Sequence, residues 1–316
     1  MTLSRFRVDI YGMIKENERM MDMLDFKLPT VEDRAWIQEI YECSGYRGAE
    51  YTFANLFLWS YFYGKVVKYR GFLCQRLDFK GIHQYLYPAG CGDPKEVLEL
   101  LWEDSRAHGK PFVVRSLTEE TMATMKRLFP YQFEYEEIRY AWDYLYEIDT
   151  LADLAGKKYQ AKRNHINRFL EDHPDWHTEV ITSENMDICK ALAEKWYESH
   201  EETEADRRAL EKAFANYEAL CFEGIILFAG DEPVAFSVGN RISKDTFGVN
   251  FEKAFADVRG AYPLVNREFA RYVREKYPEV RYLNREDDMG IEGLRKAKES
   301  YHPIFLKKYI AREKTD

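Results

Sequence analysis

The sequence predicts an α/β protein made of two similar units, each a mixed, mostly antiparallel sheet flanked by helices. First, 46% of the 316 residues are apolar and 16% are aromatic, which suffices for a sizeable core. Second, the predicted elements of each half follow the same order of two helices, three strands, a helix and a strand, which indicates an internal duplication. Third, the turn residues Gly230–Asp231 and Ser243–Lys244 separate three strands in the manner of a meander.

In the first half, a polar, Met-rich leader of about twenty residues comes before the first predicted element. Thr30 is suited to cap a helix, Gly64 ends an almost wholly apolar one, and Pro94 begins a third. The patterns predict helices over residues 32–42, 53–63, 94–109 and 118–128. They predict strands over residues 26–28, 65–69, 72–77, 83–87 and 112–115, and over 133–148 with a turn near Arg139.

The second half begins with a basic helix over residues 154–170 and repeats the same order of elements. Further helices are predicted over residues 184–199, 203–220, 262–276 and 290–300. Strands are predicted over residues 176–182, 224–229, 233–241, 245–250, 280–283 and 304–310. The sequence therefore predicts an N-terminal domain over residues 1–145 and a C-terminal domain over 146–316 that carries the active site.

The basic helix is the clearest functional feature, because it gathers cations in a chain whose formal net charge is −9. Between Leu154 and Leu170 the chain has no acidic residue and five basic ones: Lys157, Lys158, Lys162, Arg163 and Arg168. On a helix, Lys158, Lys162 and His165 share one face. A local positive excess is typical of a site that binds phosphates. A solvated helix without a ligand has a similar composition.

Gly260–Ala261 lies between a predicted strand and a predicted helix. A turn of small residues before a helix presents free backbone N–H groups, which suits a pyrophosphate or a carboxylate. A plain strand-to-helix connection has the same appearance.

A second charged segment follows the strand that ends at Asn284. Glu286, Asp287 and Asp288 precede a helix that bears Arg295, Lys296 and Lys298. A carboxylate there, Asp287 or Asp288, is suited to orient a nucleophile and accept its proton, and Lys298 to stabilise an oxyanion. A charged surface loop before a helix would also have this pattern.

Several other kinds of site lack support in the sequence. His173 and His177 are separated by Pro174, the five cysteines form no CxxC pair, and no metal ligands are therefore predicted. Ser237 and Ser243 lack the surroundings of a nucleophilic serine. With no apolar run suited to a signal peptide or a membrane span, we expect a soluble, cytoplasmic protein.

Three separated motifs resemble a bacterial family similar to the C-terminal domain of phosphatidylglycerol lysyltransferases and, more distantly, to the Fem aminoacyltransferases. They are LAGKKYQAKRNHINRF, GAYPLVNREFAR and NREDDMGIEGLRKAKESYHPIFLKKY, and they cover mainly residues 145–316. The resemblance implies two tandem domains of the GCN5-related N-acetyltransferase (GNAT) type. It also implies direct transfer of an acyl or aminoacyl group from coenzyme A or tRNA to an amine or hydroxyl, without a covalent enzyme intermediate and without a tightly bound cofactor.

The resemblance assigns roles to individual residues. Lys298 takes the position of the lysine near the reacting carbonyl, while Ala297 replaces the usual aromatic residue. The placement of charge and the order of the motifs predict that Lys158, Lys162, Arg163 and Arg295 contact phosphates, together with Gly260 and Ala261 at the turn before the helix. In the pyrophosphate loop, however, Asp257 and Tyr262 depart from the pattern at both ends, which favours aminoacyl-tRNA over acetyl-CoA.

Other functions remain open at this point. The acceptor would be a small molecule, a peptide or a lipid headgroup, and no integral membrane segment is expected. The alternatives are a non-catalytic ligand- or RNA-binding protein on a decayed transferase fold, and a small-molecule N-acetyltransferase that uses acetyl-CoA. Binding to RNA would be sensitive to salt, since contacts with phosphates release counterions.

Overall fold

The computed structural model describes residues 24–60, 64–79, 81–199 and 204–314. Its helices are α1 Arg34–Ser44, α2 Phe53–Leu58, α3 Lys95–Ala107, α4 Glu119–Leu128, α5 Ile148–Asp153, α6 Gln160–Asp172, α7 Met186–Glu198, α8 Glu204–Ala215, α9 Ala261–Lys276 and α10 Glu292–Glu299. Its strands are β1 Lys65–Tyr69, β2 Phe72–Phe79, β3 Ile82–Leu86, β4 Val113–Leu117, β5 Phe133–Glu137, β6 Asp143–Glu147, β7 His177–Val180, β8 Glu223–Ala229, β9 Glu232–Arg241, β10 Thr246–Ala254, β11 Tyr282–Asn284, β12 Ile304–Leu306 and β13 Tyr309–Glu313.

The described chain forms two compact units that interleave along the sequence. The second unit takes Val31–Trp59 and Ile138–Lys308, and the first takes Ser60–Glu137 and the described residues up to Thr30 and from Tyr309 onward. These units do not coincide with a single cut after residue 145. The division into domains 1–145 and 146–316 stays a prediction about the organisation of the sequence.

Six strands of each sheet follow the same order, in agreement with the predicted duplication, and the second sheet has β7 as an additional edge strand. In the first unit the order is β1-β2-β3-β4-β13-β5, and in the second it is β12-β6-β11-β10-β9-β8-β7. Each sheet contains an antiparallel meander, β1–β3 or β8–β10, whose last strand pairs in parallel with the strand that follows a helix. Both sheets are therefore mixed and mostly antiparallel, and the predicted fold class is confirmed.

The end of the chain differs from the prediction of one strand over residues 304–310. Ile304–Leu306 pairs with β6 in the second sheet, whereas Tyr309–Glu313 pairs with β4 and β5 in the first. Lys308 lies between the two short strands, and its buried ammonium contacts Asp143 Oδ1 at 2.7 Å and Glu50 Oε2 at 2.6 Å. These two ion pairs fix the chain between the two strands.

Other elements follow their sequence signals closely. Thr118 caps α4 and accepts a hydrogen bond from the backbone N–H of Thr121. Predicted strand 26–28 is reduced to one bridge between Lys27 and Val66. Of the predicted helix 53–63, the structure shows α2 from Phe53 to Leu58, and residues 61–63 are not among the described residues. The predicted N-terminal leader also lies outside the described residues.

The core of the second unit lies between its sheet and helices α5, α6 and α9. The predicted inward face of α9 is almost fully buried and consists of Leu264, Val265, Phe269 and Val273. Ile166 and Phe169 of α6 and Phe247 and Leu283 of the sheet complete this cluster. Such burial stabilises each large side chain by about 2 kcal/mol and fixes α6 and α9 on the sheet.

Candidate active site

The candidate site lies where β10 and β11 separate in the second unit. The two strands pair in parallel at only three positions, the last of which joins Gly248 to Asn284. β10 then continues to Ala254, with an irregularity between Val249 and Phe251, while β11 ends. We call the region between residues 249–254 and 285–289 the β10–β11 wedge. Side chains rather than backbone hydrogen bonds connect its two sides.

One connection across the wedge is an ion pair. Arg285 Nη2 donates to Glu252 Oε1 at 2.7 Å, and Glu252 Oε2 accepts from Asn266 Nδ2 at 3.1 Å. The Arg285 guanidinium also lies 5.4 Å from the centre of the Tyr301 ring. Only 15% of the Arg285 side chain and 8% of Glu252 are exposed, so little water screens the charge of this pair.

The second connection involves Glu286 and two asparagines. Glu286 Oε1 accepts from Asn55 Nδ2 at 2.9 Å and from Asn250 Nδ2 at 3.1 Å. Burial raises the pKa of Glu286 to about 7, while the bond from Asn55 lowers it. The Glu286 carboxyl therefore changes protonation state close to neutral pH, as a general acid or base requires.

Lys298 braces the loop that carries this carboxyl. Its side chain is buried, and its ammonium donates to the backbone carbonyls of Arg285, at 2.5 Å, and Asp287. Burial and the nearby charge of Arg285 lower the pKa of Lys298 to about 8. In this arrangement Lys298 holds the loop and adds positive charge beneath it.

Asp287 and Asp288 differ in their surroundings. Asp287 is half-buried, its Oδ1 accepts from the backbone N–H of Met289 at 3.1 Å, and burial raises its pKa to about 6. Asp288 is fully buried and accepts hydrogen bonds from Arg295, at 2.8 and 3.0 Å, Arg139, at 3.0 Å, and Tyr144, at 2.6 Å. Asp288 is thus saturated by partners, whereas Asp287 is better placed to exchange a proton.

The environment of Asp288 also affects Arg295. Burial alone would raise the pKa of Asp288, but the hydrogen bonds from Arg295 and Tyr144 hold it well below its usual range. Arg295 uses two of its guanidinium nitrogens for this carboxylate. The pair anchors the start of α10 to the sheet. A phosphate contact by Arg295, as the sequence predicts, would have to use its remaining donors.

The basic helix places one cation at the wedge. Lys162 Nζ lies 3.9 Å from the centre of the Tyr301 ring, and burial and the charge of Arg285 lower the pKa of Lys162 to about 8. Lys158 is exposed, with its Nζ 5.0 Å from the centre of the Tyr159 ring. Arg163 donates instead to the carbonyls of Leu154 and, at 2.7 Å, Gly156. The predicted phosphate-binding cations of this segment therefore differ in their surroundings: Lys162 is half-buried at the wedge, Lys158 is exposed, and Arg163 is bound to backbone carbonyls.

Gly260 and Ala261 pack against the basic helix. Gly260 has a φ of 92°, and a Cβ there would lie 2.3 Å from the carbonyl oxygen of His165. The backbone N–H of Ala261 donates to Val258 at 3.1 Å. The close approach of α6 explains the glycine without a ligand. A phosphate contact at these two residues stays a prediction.

Sequence reasoning missed the partners that complete the wedge. Asn55 comes from α2, which lies 231 positions before Glu286 in the chain, and no sequence signal connected them. Asn250 is the last residue of the strand predicted over 245–250, whereas Glu252 lies beyond that predicted end, on the part of β10 that continues to Ala254. The acid cluster at 286–288, which the sequence analysis singled out, lies on one side of this wedge, and its catalytic role stays a prediction.

The mixed sheet of the second unit, with an antiparallel meander whose last strand separates from its parallel neighbour, is of the GNAT-like fold class. Residues 42–312 match the profile of the family described as phosphatidylglycerol lysyltransferase, C-terminal, and the chain belongs to this family. The resemblance seen in the sequence motifs is thereby confirmed.

Solved structures agree with this assignment. A conserved protein of unknown function from Bacteroides thetaiotaomicron is 38% identical, with a TM-score of 0.86 over 92% of this chain and 100% of that chain. L-PGS from Bacillus licheniformis is 16% identical, with a TM-score of 0.68 over 93% and 95%. FemX is 9% identical, with a TM-score of 0.60 over 91% and 97%. The last two show a shared fold.

A curated relative covers less of the chain. An uncharacterized protein of Mycoplasmoides gallisepticum is 25% identical over 178 residues, which are 54% of this chain and 56% of that protein. The match therefore spans little more than half of the relative. In the described part of the chain, no helix is both long and apolar enough to cross a membrane.

Proposed function

We propose that this protein transfers an aminoacyl group from tRNA to an amine or hydroxyl acceptor by direct attack. The observation that carries the proposal is the β10–β11 wedge. There two carboxyls, Glu286 and Asp287, with pKa values of about 7 and 6, lie on one loop beside Arg285 and the buried Lys298. Perturbed acids and bases of this kind concentrate at functional sites.

In the proposed reaction, the acceptor nitrogen or oxygen attacks the carbonyl carbon of the aminoacyl ester. Glu286, or Asp287 beside it, accepts the proton that the attacking group loses. The bond from the carbonyl carbon to the tRNA ribose oxygen then breaks, and that oxygen leaves with a proton. A positioned base typically contributes about 10²- to 10⁴-fold to such a step.

Positive charge near the wedge would stabilise the oxyanion. Lys162 is the cation that we assign to this role, because its ammonium is half-buried at the face of Tyr301 and is not engaged in any ion pair described for it. Lys298, which the sequence analysis proposed for the role, acts through its charge and through the loop carbonyls that it binds. Fixed charges at a site with little water are the most effective ones.

Three features support tRNA over coenzyme A as the donor. The exposed Lys158 lies in the 3-10 turn Lys157–Tyr159 that leads into α6, the half-buried Lys162 lies in the first turn of α6, and this positive segment is suited to phosphates. Asp257 and Tyr262 depart from the acetyltransferase loop pattern, and Gly260 packs against α6. The family to which the chain belongs is described as phosphatidylglycerol lysyltransferase, C-terminal. The acceptor is a small molecule, a peptide or a lipid headgroup, and no tightly bound cofactor is needed.

The test follows label from total tRNA charged with ¹⁴C-labelled amino acids. The protein is incubated with this donor and, in separate reactions, with small amines or with phosphatidylglycerol vesicles. We expect acceptor-dependent transfer by the native chain and about a 10²-fold loss in Glu286→Gln. Glu184→Gln, at an exposed carboxylate, is the matched control and should retain full activity.

Other outcomes would replace the proposal. Acceptor-dependent release of coenzyme A thiol from acetyl-CoA, without transfer from tRNA, would identify a small-molecule N-acetyltransferase. Salt-sensitive binding of tRNA without transfer of label to any acceptor would identify a binding protein, since phosphate contacts release counterions. Equal activity of Glu286→Gln and the native chain would remove Glu286 from the mechanism.

A further inference from the structure

We propose that the first unit binds a divalent transition-metal ion through His83, Asp104 and His108, none of which belongs to the β10–β11 wedge. The candidate ligand atoms of these three side chains all lie within 4.8 Å of one another. The cluster combines a strand residue of β3 with two residues at the end of α3. Two imidazoles and a carboxylate form a donor set typical of zinc.

The helix provides two of the three ligands in a favourable arrangement. Asp104 and His108 are four residues apart, so their side chains share one face of the last turn of α3. The Asp104 Oδ1 and His108 Nδ1 atoms are 3.8 Å apart. His83 completes the cluster from β3, with the centres of the two imidazole rings 5.0 Å apart. An ion at this position would join the β2–β3 hairpin to α3.

His83 is oriented as metal-bound histidines usually are. Its Nδ1 lies 2.7 Å from Asp78 Oδ1, and Asp78 is itself held by Arg76 Nε at 2.9 Å. A carboxylate behind one ring nitrogen fixes the tautomer and leaves the other nitrogen as the ligand. That nitrogen, Nε2, lies 2.8 Å from the hydroxyl of Tyr85, whose own proton is donated to Asp104, so Nε2 would give up its proton and this contact when it binds the ion.

The cluster has to contract to bind an ion. In a tetrahedral site with bonds of about 2.0–2.1 Å, ligand atoms are about 3.4 Å apart. His108 provides this freedom, since its side chain is 40% exposed and it caps the end of α3. It would release the Asp104 carbonyl oxygen, which now lies 2.7 Å from its Nδ1.

Charge balance also favours a cation. Asp78 and Asp104 bring two carboxylates, while Arg76 is the cation that contacts both of them, at 2.9 Å in each case. The ion would share Asp104 with Arg76, which bonds Oδ1 at 3.2 Å and Oδ2 at 2.9 Å. A fourth ligand position remains for water or for the Tyr85 hydroxyl.

The experiment uses the full chain after removal of metal with a chelator. Zn²⁺ binding is measured by titration calorimetry, and Co²⁺ is added separately to record visible absorption, which is intense for tetrahedral Co²⁺ with nitrogen ligands. We expect one tight Zn²⁺ per chain and a raised melting midpoint, since the ion binds the folded state. His108→Ala should weaken binding by about tenfold or more, and Asp78→Asn by about tenfold.

His177→Ala is the matched control, because His177 is also exposed and lies 3.7 Å from a carboxylate oxygen, that of Glu179. Its Zn²⁺ affinity should equal that of the native chain. Equal losses in His108→Ala and His177→Ala would overturn the proposal, and so would the absence of a binding event in the native chain. Should His108→Ala melt early, the Co²⁺ spectrum of Asp78→Asn decides, and an unchanged spectrum and affinity would count against the site.

Discussion

Asn250 and Glu286 are joined by a 3.1 Å hydrogen bond across the place where β10 and β11 separate. The bond uses the amide nitrogen of Asn250, whose buried Oδ1 has no hydrogen-bond partner among the described residues. A buried carbonyl oxygen without a donor is costly, and a ligand N–H or O–H entering the wedge would satisfy it. The pair thus places a carboxyl whose pKa burial raises to about 7 beside an amide oxygen that can still accept a hydrogen bond.

The first prediction concerns the pH dependence of transfer. A base must be deprotonated, so kcat/KM should rise with pH as Glu286 loses its proton near its pKa of about 7. The rate should fall again as Lys162 loses its charge near its pKa of about 8. Lys162→Arg keeps the charge and should move the alkaline limb to higher pH. An unchanged alkaline limb in this variant would exclude Lys162 as the titrating group.

The second prediction concerns donor binding by the basic helix. Lys158→Gln should weaken tRNA binding and reduce its salt dependence by about one phosphate contact, whereas Lys162→Gln, at the cation assigned to the oxyanion, should lower transfer more than binding. Arg168→Gln is the matched control on the same helix, since Arg168 is already paired with Asp172 at 3.1 Å. Titrations of labelled tRNA at several salt concentrations make the comparison. Equal effects of all three substitutions would indicate only a loss of net charge.

The third prediction concerns the buried carboxylate of the same loop. Asp288→Asn leaves Arg139 and Arg295 without their common anion and should lower the free energy of unfolding by about 3 kcal/mol. Asp187→Asn, at an exposed ion pair with Lys190, should change it by less than about 1 kcal/mol. Urea unfolding of both variants measures the difference.

The pH dependence of stability checks the same assignment. Because the pKa of Asp288 is lowered in the folded state, its contribution is present above the unfolded pKa of about 3.9 and is lost as pH falls toward the folded value. Asp288→Asn should therefore flatten the acid limb of the stability curve. An acid limb as steep as that of the native chain would contradict this prediction.

The fourth prediction separates the free-energy cost of backbone strain from that of a steric clash when a glycine is replaced by alanine. Gly45 and Gly260 both have left-handed backbone conformations, with φ of 65° and 92°, but a Cβ at Gly45 would meet nothing within 4 Å. Gly45→Ala should therefore cost only backbone strain, about 1 kcal/mol. Gly260→Ala adds the clash with His165 and should cost clearly more. Equal melting midpoints of the two variants would refute the close packing of α6 on this turn.

The sequence by itself determined the elements and the class of fold. Alternation and turn residues predicted the meander from β8 to β10, and helical periodicity predicted the buried face of α9, because both signals are local. Because these signals are local, they also explain why the strand predicted over residues 304–310 was wrong. Nothing near residues 304–310 indicated that Lys308 would be held by Asp143 and Glu50 and would divide the last strand between two sheets.

The candidate site was predictable only in part. The sequence indicated the segment 286–288 and the basic helix, because charge is visible in composition. Only the tertiary structure decided which carboxyl has its pKa lowered by several hydrogen-bond donors and which has its pKa raised by burial. Both effects depend on partners that are distant in the chain. Asp288 is surrounded by Arg139, Tyr144 and Arg295, whereas Glu286 meets Asn55 and Asn250. Likewise, folding places His83 beside His108, which the spacing of histidines along the chain did not predict.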